Sequence, residues 1–338
     1  MDWEGLRVLV TGGASFIGSH LVDALVERRA KVTVVDDLSS GRLDHLHKHL
    51  ATSEIHFIKA DLRRQDAADA AVTGQQCVFH LAAAHGGRGY LETHETACAS
   101  NFVLDGLVFD SCVRHAVDRI VYASSGCVYP CHLQAAPDRI VRLKEDQVGP
   151  PFDADGIYGW AKLMGEKVLA VYAREHRVKA VSCRYFTAYG PRATESHAVM
   201  AMIARAFVRQ DPFEIWGTGQ QLRNWTYVSD IVEGTLLAAE HCDAGEAINI
   251  GTMEGTRVMD AAELVLQYAD FAAAIVARPE MPTGPYYRIA DNTELAQRTG
   301  WRPKVFFAEG LRRTMDWYFS TKSEADVRSE LEHLLFAR

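Results

Sequence analysis

The amino-acid sequence predicts an α/β fold in which a doubly wound parallel sheet is followed by a smaller, mixed α/β domain at the C-terminal end. Three observations support this prediction. Short apolar runs alternate with helical stretches, a glycine-rich turn follows the first run, and the alternation fades after Tyr185. With 338 residues, the chain can form one large or two modest domains.

Six buried strands are predicted, because each is a short and nearly continuous aliphatic run. Their predicted ranges are 7–11, 31–35, 55–59, 77–81, 119–124 and 179–185. Helices are predicted after the glycine turn to about Arg29, and near 65–72, 98–115 and 158–175. A helix within 226–240 and a short strand at 247–250 are expected to return the chain to the same sheet.

The turn after the first strand has the spacing of a dinucleotide-binding turn, as in a Rossmann fold. Gly13 is expected to allow the tight turn, and Gly18 to let the helix pack on the strand, so that the helix N-terminus meets a pyrophosphate. Ser15 stands where the middle glycine of such turns is expected, which makes the backbone approach tighter. The alternative is an ordinary glycine-rich turn. The predicted cofactor contacts here are Gly12, Gly13, Ser15, Phe16, Ile17 and Gly18.

Asp36 ends the second predicted strand, eighteen residues after Gly18, and is expected to accept hydrogen bonds from the adenosine ribose. With Asp37 beside it, the site would repel a 2′-phosphate, which favours NAD over NADP. Ligands of doubly wound sheets lie beyond the carboxyl ends of the strands. Further cofactor contacts are therefore predicted at Asp61, Leu62, Leu81, Ala82 and Ala83.

Charge and cysteine content narrow the class of protein. A formal net charge of −8 and a pI near 6.0 argue against nucleic acid or an anionic membrane as a partner. No apolar run of membrane-spanning length and no secretory leader is recognisable. The seven cysteines contain no C-x-x-C pair, which is typical of free thiols in a reducing cytoplasm. No metal site is predicted.

Tyr158 and Lys162 are four residues apart in a predicted helix, so their side chains project from one face. An ammonium beside a phenol favours the phenolate and lowers the pKa of the tyrosine. A tyrosine tuned in this way can take the proton from a sugar hydroxyl as a hydride leaves the same carbon. Taken alone, the same spacing would also fit a half-exposed helix face.

Seven ordered blocks together resemble the extended short-chain dehydrogenase/reductase family that modifies nucleotide sugars. They are TGGASFIG, VVDDLSSG, KADLR, VFHLAAA, VYASSGCVYP, YGWAK and RYFTAYGPR. The resemblance implies bound NAD and a catalytic triad of Ser125, Tyr158 and Lys162. In these roles Tyr158 is the base at the sugar 4-hydroxyl, Lys162 also holds the nicotinamide ribose, and Ser125 hydrogen-bonds the reacting oxygen.

Within that family, the chain resembles the GDP-mannose 3,5-epimerase branch. Gly126 and Cys127 follow Ser125, where 4,6-dehydratases carry the Asp-Glu pair needed for elimination. The loop 85–90 (HGGRGY), the block 213–234 and the block 247–255 resemble the epimerase. The implied chemistry is oxidation at C4, which acidifies the hydrogens on C3 and C5, followed by proton exchange and reduction.

The resemblance assigns that proton exchange to Cys127 and to His197, which stands in place of a lysine. The alternative for Cys127 is a small buried side chain at a strand end, and for His197 a solvated loop histidine. The lysine substitution leaves open whether C3, C5 or both are inverted. The substitution is also compatible with an epimerase that inverts C4.

The resemblance further implies a nucleotide-sugar site with contacts at Gly87, Arg88, Thr187, Arg223 and Arg288. Arg223 and Arg288 match arginines that hold the diphosphate in relatives. Thr187 replaces the asparagine usual in the family and donates only one hydrogen bond. Trp216 fits either a place under the nucleoside or a place in the core.

Residues 1–185 with about 223–251 are predicted to form the NAD-binding domain, and 186–222 with 252–338 the nucleotide-sugar-binding domain. The family resemblance implies a homodimer through the helices near 98–115 and 158–175. The stretch 323–338 is predicted to be a charged amphipathic helix. Two other functions stay open: a 4-epimerase of a UDP-sugar or UDP-uronate, and a non-catalytic NAD-binding regulator.

Overall fold

The core of the computed structural model, which describes residues 1–135 and 140–336, is a parallel sheet of seven strands. In chain order, the strands of the protein are β1 Arg7–Thr11, β2 Lys31–Asp36, β3 Ile55–Lys59, β4 Cys77–His80, β5 Arg119–Ser125, β6 Lys179–Tyr185, β7 Ala188–Tyr189, β8 Phe213–Trp216, β9 Leu222–Arg223, β10 Thr226–Tyr227, β11 Ala244–Ile250, β12 Thr256–Arg257, β13 Ile275–Arg278 and β14 Tyr287–Arg288. The large sheet has the order β11-β6-β5-β4-β1-β2-β3.

Thirteen α-helices are found among the described residues. They are α1 Phe16–Glu27, α2 His47–Ala51, α3 Gln65–Val72, α4 Arg88–Thr93, α5 Glu95–Ala99, α6 Asn101–Arg114, α7 Gly156–His176, α8 Ala198–Phe207, α9 Val228–His241, α10 Val258–Tyr268, α11 Thr293–Thr299, α12 Phe307–Thr321 and α13 Glu324–Phe336. Several of them, such as α1 and α7, pack on the large sheet. Along β1, Val8 and Val10 belong to one hydrophobic core, whereas Leu9 belongs to the other. The strand is apolar throughout because both of its faces are buried.

The predicted doubly wound α/β fold is confirmed, with two local differences. Strand β11 starts at Ala244, three residues before the predicted start, where its register against β6 is irregular. The single helix predicted near 98–115 is two helices, because α5 ends at Ala99 and α6 begins at Asn101. Strand β4 lies between β1 and β5 in the sheet, so the carboxyl ends of these three parallel strands lie side by side.

Beyond β6 the chain returns to the large sheet with β11 and otherwise forms small sheets and further helices. Strands β12, β9 and β14 pair in one sheet, and β13 pairs with β8 in another. Helix α13 packs near α8 and α4, and its Phe336 ring lies 5.3 Å from the Trp216 ring. The last two residues of the helix predicted at 323–338 lie outside the described residues, and the proposed domain division stays a prediction. Among the described helices, none is long and apolar enough to cross a membrane.

Candidate active site

One cleft of about 1220 Å³ opens at the carboxyl ends of the central strands. Such a position is where ligands bind in doubly wound sheets. Of the site residues predicted from the sequence, all but Gly13 line it: Gly12, Ser15, Phe16, Ile17, Gly18, Asp36, Asp61, Leu62, Leu81, Ala82, Ala83, Gly87, Arg88, Ser125, Cys127, Tyr158, Lys162, Thr187, His197, Arg223 and Arg288.

The glycine turn is shaped by three close approaches of backbone to backbone or core. Gly12 adopts the left-handed conformation, with φ of 70°, whereas Gly13 was expected to allow the tight turn, and a Cβ at Gly12 would lie 2.8 Å from the Ala82 backbone nitrogen. A Cβ at Gly13 would lie 2.7 Å from Val34 Cγ1, and one at Gly18 would overlap the Gly12 carbonyl. The helix α1 therefore packs on the turn itself. Ser15, just before α1, donates from Oγ to the Gly12 carbonyl at 2.6 Å.

The Asp36 carboxylate is held in place at the end of β2. It accepts hydrogen bonds from the backbone N–H groups of Ala14 at 3.1 Å and Leu38 at 2.8 Å. A Cβ at Gly41 would lie 2.6 Å from Asp36 Oδ1, so the loop closes over the carboxylate only with glycine there. These contacts fix an acceptor at the place where the sequence predicts the adenosine ribose.

Ser125 ends β5, and Tyr158 and Lys162 lie on the first turns of α7. Lys162 is fully buried, and its Nζ has no hydrogen-bond partner within the described ranges. This atom lies 4.6 Å from the ring centre of Tyr122 and 5.9 Å from that of Tyr158. Buried polar groups normally have partners, so an ammonium in this cleft fits a ligand with hydroxyl oxygens, such as a nicotinamide ribose.

The pKa of Tyr158 differs from the value expected from its spacing to Lys162. Burial raises the pKa of Tyr158 well above its ordinary value, and the nearby Cys127 and Asp105 add to the effect. A hydrogen bond with Ser125 opposes this rise. The expected lowering of the Tyr158 pKa is therefore wrong for this structure, because desolvation of the phenolate is the largest influence on it. Burial also lowers the pKa of Lys162.

A buried carboxylate, Asp105 on α6, supports the charge of Lys162. Asp105 and Glu166 both raise the pKa of Lys162 against the effect of burial. The Asp105 carboxylate accepts a hydrogen bond from the Tyr122 hydroxyl and pairs with His80 Nε2 at 3.0 Å. Both of its oxygens are thus engaged, and the anion is fixed behind the lysine.

Cys127 belongs to a second charged cluster in the cleft. Its Sγ accepts a hydrogen bond from Arg288 Nη1 at 3.1 Å. Arg288 also donates from Nη2 to Asp155 at 2.8 Å, and Arg88 Nη1 contacts both oxygens of Asp155 at 2.9 Å. Although burial alone would raise the pKa of Asp155, Arg288 and Arg88 together hold it below its ordinary value.

His197 lies in the same cleft, stacked on a neighbouring histidine. Its ring centre is 5.5 Å from that of His85, which is 5.1 Å from that of Tyr158. Burial lowers the pKa of His197 to about 4, so the imidazole is neutral near pH 7. Gly87 brings the two segments together, because a Cβ there would overlap the Ser196 carbonyl.

Arg223 is partly buried, and carbonyl oxygens surround its guanidinium. It donates from Nη1 and Nη2 to four of them, those of Leu222, Thr283, Pro285 and Tyr286. Burial lowers its pKa to about 9, and the charges of Arg288 and Arg88 add to this effect. The carbonyls orient the guanidinium at the cleft, and its role as a diphosphate ligand stays a prediction.

Sequence reasoning missed Asp155 and Asp105. Asp155 precedes the helix that carries Tyr158, but nothing in its neighbours indicates two arginine partners. Asp105 could have been found, because it is an acid inside the otherwise apolar run FVLDGLVF, and an acid among core residues needs a buried partner. Among the described residues, no group of three His, Cys, Asp or Glu side chains is arranged to hold a metal ion.

The chain is similar to known proteins in both sequence and structure. Residues 8–251 match the model of the NAD-dependent epimerase/dehydratase family. A GDP-mannose 3,5-epimerase of Oryza sativa subsp. japonica is 31% identical over 319 residues, which cover 93% of this chain and 82% of the relative.

Two solved structures share the fold over almost their whole length. UDP-glucose 4-epimerase from Thermotoga maritima, solved with UDP-glucose, has a TM-score of 0.84 at 28% identity and covers 94% of this chain and 99% of its own. UDP-glucuronic acid 4-epimerase from Bacillus cereus, solved with UDP-glucuronic acid and NAD, has a TM-score of 0.83 at 26% identity, with coverage of 92% and 98%.

Proposed function

The chain belongs to the NAD-dependent epimerase/dehydratase family, and we propose that within this family it is an epimerase of a nucleotide-linked hexose, with GDP-mannose as substrate. Support for GDP-mannose comes from the relative with 31% identity and from the Gly126-Cys127 pair after Ser125. The observation that carries the proposal is that Cys127, His197 and Tyr158 line one cleft.

Tyr158 takes the proton of the sugar 4-hydroxyl, and Ser125 hydrogen-bonds the same oxygen. Lys162, with its unpartnered Nζ, binds the ribose of the cofactor, and its positive charge favours the phenolate form of Tyr158 that accepts the proton. NAD, when bound, supplies the oxidation of the sugar at C4 and its later reversal. The Gly12–Gly18 turn and Asp36 hold the adenosine end.

The ketone at C4 makes the hydrogens on C3 and C5 acidic, so a base on one ring face and an acid on the other can invert these carbons. Cys127 and His197 are the two groups that we assign to this exchange. His197 is neutral near pH 7, so it can accept a proton without first losing one. Arg88, Arg223 and Arg288 surround the same space with positive charge and suit a diphosphate.

Incubation of the purified protein with GDP-mannose or with UDP-sugars in heavy water tests the proposal. Deuterium at C3 or C5 of a GDP-hexose supports ring proton abstraction. Inversion at C4 of a UDP-sugar or UDP-uronate without solvent label would instead make the protein a 4-epimerase, the activity named for both solved neighbours. NAD binding without turnover of either substrate would indicate a regulator.

The assembly that we propose is a homodimer, supported by apolar side chains on the open faces of α6 and α7. Phe102, Trp160 and Met164 are 40%, 38% and 42% exposed. Phe109 and Leu169, two other apolar residues of these helices, are buried in the core of the chain. Light scattering after size exclusion should give twice the mass of one chain for the wild-type protein. The Met164→Glu variant should give the mass of a single chain.

A further inference from the structure

The cleft contains polar side chains from α8, β8 and the loop before β9 whose hydrogen bonds are incomplete. Arg205 and Gln221 are only 3% and 6% exposed and line the cleft. Arg205 Nε and Gln221 Oε1 have no hydrogen-bond partner in the described part of the chain. An unsatisfied buried donor or acceptor costs free energy. One donor and one acceptor are therefore left for a ligand.

This part of the cleft adjoins the arginines expected to bind the diphosphate. The Gln221 amide packs so closely on Gly217 that a Cβ there would overlap it, and Thr283 packs on the same glycine. The Thr283 carbonyl accepts from Arg223 Nη2 at 2.7 Å. A nucleoside attached to a diphosphate near Arg223 would thus reach Gln221.

Glu214 on β8 adds a carboxylate to the same lining. Arg278 donates to it from Nε at 3.0 Å and also from Nη2, and both bonds reach Oε1. The other carboxylate oxygen of Glu214, Oε2, takes no part in the hydrogen bonds with Arg278. Glu214 also acts on Arg205 electrostatically, since its charge raises the pKa of that arginine against the lowering caused by burial.

Resting on the proposed function, we propose that Glu214, Arg205 and Gln221 form a base-reading site that selects guanine. Guanine presents an N–H and an NH₂ donor side by side, and its O6 and N7 accept from arginine. The carboxylate and the Gln221 oxygen match the two donors, and Arg205 matches the acceptors. Uracil has one donor between two carbonyl oxygens, so one of its oxygens would face the carboxylate.

Titration calorimetry with nucleoside diphosphates on the NAD-loaded protein tests this site. GDP, IDP and UDP form the series, because hypoxanthine differs from guanine only by lacking the 2-amino donor. We expect GDP to bind about 10-fold or more tightly than IDP and UDP, since a hydrogen bond to a charged group carries this discrimination. Glu214→Gln should bring the GDP to IDP ratio close to one and change UDP binding little.

Glu280→Gln is the matched control, because Glu280 is exposed and lies outside the cleft; it should keep the wild-type ratio. Equal binding of GDP and UDP, or an unchanged GDP to IDP ratio in Glu214→Gln, would overturn the base-reading site. If that variant does not fold, the GDP to IDP ratio of the wild-type protein decides alone.

The results that would overturn the base-reading site differ from those that would overturn the proposed function. A wild-type protein that prefers UDP and epimerises a UDP-sugar would overturn guanine selection, while nucleotide-sugar epimerisation would stand. A protein that holds NAD but binds no nucleoside diphosphate would overturn both.

Discussion

The guanidinium of Arg288 and the thiol of Cys127 are hydrogen-bonded within the cleft, with 3.1 Å between Nη1 and Sγ. Arg288 is fixed in turn by Asp155 and by Gln134, whose Oε1 accepts from Nε at 2.9 Å. The side chain that we assign to proton exchange is therefore held by a charged donor that has little freedom to move.

Replacement of Cys127 should separate sugar oxidation from ring proton exchange. In Cys127→Ala, we expect solvent deuterium incorporation at C3 or C5 to fall by about 10² or more, the usual contribution of a general acid–base group. Oxidation at C4 does not need the thiol and should persist. Mass spectrometry of the recovered sugar in heavy water gives the rate. Cys131→Ala, which removes a nearby free thiol, should behave as wild type; unchanged exchange in Cys127→Ala would reject the role.

Tyr158→Phe should reduce turnover by about 10² to 10⁴, because the ring stays but the proton acceptor is lost. Binding of NAD should be unchanged, as judged by the cofactor that co-purifies. Tyr172→Phe on the same helix is the control, since Tyr172 lies in the partly buried surface outside the cleft. Turnover that survives in Tyr158→Phe would show that another group takes the hydroxyl proton.

Acid should destabilise the protein partly through His197. Its pKa falls from 6.5 to about 4 on folding, so the folded state binds the proton more weakly. The associated stability is complete above pH 6.5 and is lost as the pH falls toward 4, by at most about 3 kcal/mol. Urea unfolding across this range should show a smaller loss for His197→Gln than for wild type. The exposed His241→Gln should keep the wild-type slope, and equal slopes for all three proteins would contradict the assignment.

Asp105→Asn should change the pH dependence of catalysis from a position behind the active site. Removal of this charge lowers the pKa of Lys162 further, because Asp105 is the first of the groups that support the ammonium. The alkaline limb of the pH–rate profile should move to lower pH. Asp110→Asn, on the same helix but paired with Arg114 at the surface, should leave the limb in place. If the rate falls but the alkaline limb of the pH–rate profile does not move, Asp105 has only a structural role.

Gly87→Ala should disconnect the loop 85–90 from the segment that carries His197. The added methyl would overlap the Ser196 carbonyl, so one of the two backbones must move. Nucleotide-sugar turnover should fall while NAD binding remains. Gly106→Ala is a matched control within α6, where a Cβ meets nothing within 4 Å, and it should be stabilised by about 0.5–1 kcal/mol. Wild-type turnover in Gly87→Ala would contradict the close packing.

The sequence was sufficient to predict the sheet and the lining of the cleft, because both depend on local patterns. Apolar runs such as Arg7–Thr11 are buried on both faces, and the residues that follow them lie at one edge of the sheet. The spacing of Tyr158 and Lys162 likewise placed both on α7.

Contacts between distant residues could not be predicted in this way. Arg288 and Cys127 are 161 residues apart, and only the fold brings them together. The direction of the Tyr158 pKa was also wrong, because spacing reports the nearby ammonium but not the burial that opposes it. The crowding at Gly12 and Gly13 could not be predicted either, because it comes from Ala82 and Val34, which lie on other strands or beyond their ends.

The contact of Phe336 with Gly89 and Trp216 joins helix α13 to the wall of the cleft. Trp216 lines the cleft, and Gly89 follows Arg88, which lines it as well. One aromatic ring in the last turn of α13 therefore helps to set the shape of a cleft whose other walls come from residues far earlier in the chain.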